Sequence, residues 1–107
     1  MARFLRLWRR NPLAPWPTGP VEFSKFMEKA AAAIDDSIKK GIIKEYGYFL
    51  DGMSGYMISE AEATDVLRTS WMYFPYYEWE IHEIIPYEKG KEILRAIMKA
   101  QIEAAKK

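Results

Sequence analysis

The spacing of apolar residues along this chain switches repeatedly between two periods, and that switching restricts its possible folds more than any single motif does. Phe23, Phe26, Met27, Ala30, Ile34 and Ile38 recur at three- and four-residue steps with Lys and Asp between them, which predicts one amphipathic helix. Tyr77 to Ile85 alternates instead, with the two-residue period of a strand. Arg3–Arg9, Ile42–Leu50 and Tyr56–Ser59 are short aromatic and aliphatic runs that read as further strands. Ala63, Val66, Leu67, Trp71 and Phe74 mark the inward stripe of a second helix, stopped by Pro75. Leu94, Ile97, Met98 and Ile102 mark one side of a last helix over Tyr87–Lys106.

Punctuation separates these segments. Pro12, Pro15, Pro17 and Pro20 exclude a helix or central strand between Asn11 and Pro20, leaving a loop around Trp16. Thr18-Gly19-Pro20, with Glu22 following, starts the first helix, and Gly41 is placed to end it. Asp51-Gly52 predicts the turn of a hairpin. Ser59-Glu60-Ala61-Glu62 fits a capping box at the start of the second helix.

The resulting order is strand–helix–strand–strand–helix–strand plus a C-terminal helix. It predicts a single α+β domain over residues 1–107, ferredoxin-like, with a four-stranded antiparallel sheet and the first two helices on one face. A chain of 107 residues can bury roughly 65% of the surface it exposes when unfolded, so no disulfide or structural metal is required. Sixteen basic residues against fifteen acidic ones leave a formal charge of +1 with no long block of either sign. Nucleic-acid binding, which needs a concentrated cationic face, is not expected. The absence of cysteine excludes thiolate chemistry and suits a cytoplasmic location. Met1–Arg10 is too short and too interrupted by Arg6 for a signal peptide, and no run reaches the length of a membrane span. Asn and Gln occur once each, at Asn11 and Gln101, against many Lys and Glu, a balance that points to a thermophilic source.

Two helices on one face leave the other face uncovered. Taking the aliphatic positions as inward, Leu5 and Leu7 of the first strand, Ile43, Gly47 and Phe49 of the second, and Tyr77, Trp79 and Ile81 of the last lie under the helices. The open face then carries Phe4, Arg6, Trp8, Lys44, Tyr46, Tyr48, Leu50, Glu78, Glu80, His82 and Ile84. A one-residue slip in any strand would exchange its two lists. So many large side chains on a wet face promote association, which predicts a homodimer or larger homo-oligomer with a second sheet packed against this one. The monomeric alternative has the last helix folding back over its own sheet.

The element order, the size, the half-apolar open face and the extra helix together resemble the dimeric α+β barrel superfamily. This ferredoxin-like group includes muconolactone isomerase, YciI-like proteins and small antibiotic-biosynthesis monooxygenases. The segment Tyr73-Phe74-Pro75-Tyr76-Tyr77-Glu78-Trp79-Glu80-Ile81-His82-Glu83-Ile84-Ile85-Pro86 is similar to the last strand of small barrels in that superfamily. The resemblance implies a cavity between two packed sheets that holds a small, often aromatic, organic molecule. It supplies no catalytic motif.

Within that frame His82, the only histidine, is the candidate general acid or base, oriented by Glu80; the plainer reading is a strand histidine bonded to a neighbour. Glu78, Glu80 and His82 share a phase, but successive members are roughly 6.6 Å apart, too wide to ligate one ion unaided. No metal and no cofactor is expected. Arg6 is a candidate for binding a substrate carboxylate or for pairing with Glu80 across the sheet. Trp8, Tyr46, Tyr48, Trp71 and Tyr73 are candidate aromatic walls for a flat ligand, or core and subunit contacts. The alternative function is structural: an assembly protein whose cavity is filled by side chains.

Overall fold

A computed structural model describes residues 2–106 and contains every element that the spacing predicts. These are β1 (Ala2–Arg10), α1 (Pro20–Lys39), β2 (Ile43–Tyr48), β3 (Ser54–Ala61), α2 (Ala63–Trp71), β4 (Tyr77–Ile84) and α3 (Tyr87–Ala105). Pro20 stands in the first turn of α1, where its missing N–H leaves no bond unmade. Gly41 follows the helix at φ +76°, a left-handed conformation that glycine adopts without a Cβ clash. In the β2–β3 turn the Asp51 carboxylate accepts from the backbone N–H groups of Met53 and Ser54 and from the Ser54 hydroxyl. These bonds hold the Asp51 carboxyl below its ordinary pKa.

The strands form one antiparallel sheet in the order β2-β3-β1-β4. Both β1 and β2 run antiparallel to β3, so they are parallel to each other, and α1 joins them across β3. In the same way α2 joins β3 to β4 across β1. These two interleaved crossovers are the split βαβ arrangement.

The faces of the sheet differ from the expected ones in two strands. Residues directly opposite in an antiparallel ladder share a face: Arg6 lies opposite Met57 and Ile81, and Trp8 lies opposite Gly55 and Trp79. Phe4, Arg6 and Trp8 are the buried members of β1, and they face the helices. Phe4 packs with Val66 of α2, and Arg6 donates to Thr69 and Ser70 of the same helix. Leu5 and Leu7 are on the open side. In β3 the phase on the same inner face is Gly55, Met57, Ser59 and Ala61, so the large β1 side chains meet mostly small β3 partners there. In β2 a register shift between Ile43 and Glu45 marks a bulge. Ile43 is inward as expected, but the extra residue reverses the phase that follows. Tyr46 and Tyr48 therefore face the helices, and Gly47 and Phe49 do not. The β4 assignment holds: Tyr77, Trp79 and Ile81 are inward, and Glu78, Glu80, His82 and Ile84 are on the open side.

The capping box is also overturned. β3 runs on to Ala61, Ser59 is a fully buried strand residue, and Glu62 occupies the N-cap of α2 without a side-chain cap. The buried side of α2 is Val66 and Ser70, whereas Leu67, Trp71 and Phe74 are exposed. Gly55 permits a close approach, since a Cβ there would lie 2.1 Å from the Gly47 carbonyl oxygen and 2.5 Å from the Trp8 ring.

The last helix does not cover its own sheet. Every residue from Glu92 to Lys106 is exposed, including Ile93, Leu94, Ile97, Met98 and Ile102. The chain measures 71 × 30 × 26 Å with a radius of gyration of 19.2 Å, against about 13 Å for a compact chain of this length.

Candidate functional site

The two faces of the sheet present two different sets of functional groups. On the open side Glu80 and His82 are brought together, with the Glu80 Oε2 3.0 Å from the His82 Nε2. Both side chains are exposed, and their neighbour Glu78 is engaged with Arg9 at 2.7 Å. Their strand alternation places them side by side along the outer edge of the sheet. A shallow depression of about 400 Å³ runs beside Glu80, with Leu7, Arg9, Phe49, Ser54 and Glu78 in its walls. A carboxylate holding one imidazole nitrogen leaves the other free to take or give a proton. Arg6 does not take part, because Leu7 is the β1 residue opposite Glu80.

On the helix side Arg6, Trp8, Tyr46, Tyr48 and Tyr73 are brought together instead. Trp8 stacks on Tyr46 with centroids 5.9 Å apart, and Tyr48 and Tyr77 meet it edge-on at 5.6 and 5.7 Å. Tyr73 meets Tyr77 edge-on at 6.0 Å. Burial is the leading cause that raises the pKa of both the Tyr46 and Tyr77 hydroxyls. Trp71 is not part of this group: it lies at the exposed end of α2, stacked on Phe74 at 5.4 Å. Trp16 closes the α1 side of the cluster through contacts with Phe26, Tyr76 and Tyr77, and its indole N–H donates to the Asn11 carbonyl at 2.7 Å.

Between α1 and α2 the inner face of the sheet is the floor of a cleft. One cavity of about 240 Å³ is lined by Arg6, Ile34, Ile43, Met57, Thr69, Met72, Tyr73 and Trp79, among others. A second, of about 430 Å³, shares Arg6 and Thr69 with it and extends to Lys40, Lys44, Glu60, Asp65 and Arg68. Arg6 sits where the two meet and is 3% exposed. Its Nε donates to Ser59 Oγ at 3.2 Å, and its Nη1 donates to Thr69 Oγ1 at 2.8 Å and Ser70 Oγ at 3.2 Å. Thr69 in turn donates its hydroxyl proton to the Asp65 carbonyl at 2.8 Å, which turns an oxygen lone pair toward the guanidinium. All three acceptors are neutral, and burial lowers the Arg6 pKa. The indole N–H groups of Trp8 and Trp79 are buried without an acceptor.

Sequence reasoning placed Trp79 on the helix side but did not single it out, and it missed Ser59, Thr69 and Ser70. Ser59 was legible in principle: it stands in alternation between Met57 and Ala61, a polar residue on an apolar phase, which asks for a polar partner. Thr69 and Ser70 carry no such signal until the helix phase is known.

Among the described residues no group of three or more His, Asp or Glu side chains is arranged to hold a metal ion. No helix among the described residues is long and apolar enough to cross a membrane. No family model, curated protein or solved structure matches the chain.

Proposed function

We propose that this chain is a self-associating domain of the dimeric α+β barrel kind, in which two ferredoxin-like sheets pack through their open faces and enclose a site for a small organic ligand. The observation that carries this reading is α3. Helices in proteins draw most of their stability from packing of an apolar stripe. Here every member of that stripe, Ile93, Leu94, Ile97, Met98 and Ile102, is exposed. The open sheet face adds Leu5, Leu7, Tyr56, Ile58 and Ile84 in a contiguous row set by the strand register. A second copy related by a two-fold axis covers both surfaces at once, because each subunit offers the same sheet face and the same helix. In that arrangement Glu80 and His82 pass from solvent into the space between the sheets, where the pair serves as an acid–base group without a cofactor.

The structural alternative draws support from the same row: five apolar side chains on each sheet fill much of the space between the sheets and leave less room for a ligand. Thiol accessibility tests the association directly, since the chain has no cysteine. Leu7→Cys and Ile97→Cys are expected to react with a maleimide slowly in the native protein and rapidly in denaturant. Rapid labelling of both in the native protein would refute the pairing. If both are protected, unchanged ligand turnover in His82→Ala removes the acid–base role.

A further inference from the structure

The helix-side cleft carries a feature that the pairing of open faces does not use. Arg6 cannot shed its charge at any ordinary pH, yet it is 97% buried with neutral hydroxyls as its only hydrogen-bond acceptors among the described residues. Its Nη2, with two N–H donors, is left without an acceptor among those residues. The acids around the cleft are engaged elsewhere: Asp36 with Lys40 at 2.9 Å, Glu60 with Arg3 at 2.7 Å, and Asp65 with Arg68. The outer cavity has four cations in its lining, Arg6, Lys40, Lys44 and Arg68, against two carboxylates, Glu60 and Asp65. A buried charge in such a setting is stabilised by an opposite charge, and a guanidinium suits a carboxylate in geometry as well as in sign.

The walls define the rest of the ligand. Above Arg6 the inner cavity of about 240 Å³ is bounded by Ile34, Met57, Met72, Tyr73 and Trp79. Trp79 lies 5.9 Å from the guanidinium carbon, and its indole N–H is a buried donor without an acceptor among the described residues. A guanidinium with a free Nη2, a buried indole donor and mainly apolar walls favour a molecule with an anionic head and an apolar body. We propose that this cleft is a binding site for a small organic carboxylate, its carboxylate on the free Nη2 of Arg6 and its apolar body against Trp79, Tyr73 and Met57. The site lies on the opposite side of the sheet from Glu80 and His82 and stands whether or not the chain dimerises.

Benzoate is the probe, with benzyl alcohol as its uncharged counterpart and inorganic phosphate as an anion without an apolar body. Each is titrated into the ¹⁵N-labelled full chain while the indole N–H resonances are followed, with Trp79→Phe assigning the Trp79 signal. The expected result is a saturable shift of that signal with benzoate, at least ten-fold weaker binding of benzyl alcohol and of phosphate, and at least ten-fold weaker benzoate binding in Arg6→Met. No saturable shift with benzoate overturns the proposal. Equal binding of benzyl alcohol makes the cleft an apolar pocket, and equal binding of phosphate makes it a simple anion site; either result overturns the proposal. These comparisons use the unaltered protein, so they decide the matter even if Arg6→Met fails to fold.

Discussion

The two sides of this sheet are built from the same four strands and have opposite characters. The helix side holds the rings, with Trp8, Tyr46, Tyr48, Tyr77 and Trp79 interlocked over a buried arginine. The open side holds an aliphatic row bordered by exposed ion pairs, Arg3 with Glu60 and Arg9 with Glu78. The difference teaches that an apolar phase does not by itself mark the buried face of a strand: β1 buries Phe4, Arg6 and Trp8 and leaves Leu5 and Leu7 partly exposed. The helix side is covered in large part by α1 and α2, whereas no element of the chain covers the open side, and on the proposed function a second copy does so.

The sharpest way to break that contrast is to truncate neighbours on β1. Trp8→Ala removes a side chain 3% exposed from the centre of the aromatic cluster and should cost about 3–5 kcal/mol, read from urea unfolding. Leu7→Ala, one residue away on the open side, should cost less and, on the proposed pairing of two chains, should show its cost mainly as a concentration-dependent midpoint. Equal, concentration-independent losses would mean that the two faces are not distinct.

Smaller changes sharpen the account of the helix side. Gly55→Ala drives a Cβ into the Gly47 carbonyl and the Trp8 ring, and overpacking of this kind should cost about 1–3 kcal/mol. Ser59→Ala takes the acceptor from the Arg6 Nε in a fully buried position, at a similar cost of about 1–3 kcal/mol. Alkaline titration probes the same region. The folded Tyr46 hydroxyl is raised above its ordinary value of 10.0, so the unfolded chain ionises first as the pH rises. Stability is therefore full below about pH 10 and declines above it, while tyrosinate absorbance at 295 nm lags behind that of the unfolded chain. At the other extreme, Arg9→Ala breaks only an exposed pair on the open side, and its urea midpoint should match that of the unaltered protein.

These results also mark what was legible in the sequence. The element order was, because proline and glycine fall between segments of different period, and Pro20, Gly41 and Asp51-Gly52 act locally. The faces of β4 were legible because Glu78, Glu80 and His82 alternate with Tyr77, Trp79 and Ile81. The faces of β1 were not, since Phe4-Leu5-Arg6-Leu7-Trp8 is plausible in either phase and only the helices opposite decide between them. In β2 the bulge after Ile43 reverses the phase, and no residue there announces it. The Glu80–His82 pair followed from strand alternation. The Arg6 site did not, because its hydroxyl acceptors come from β3 and α2 and meet only in the folded chain. Ser59 misled by fitting a helix-capping pattern that the longer β3 excludes.

The central claim, that a second copy covers the open face and α3, is tested most directly by the native mass spectrum of the freshly purified, untreated protein. The account predicts a principal species at twice the 12.5 kDa chain mass, dissociating to monomer when Leu7→Lys and Ile97→Lys are combined. A principal species at the mass of one chain, unchanged by those substitutions, would contradict it.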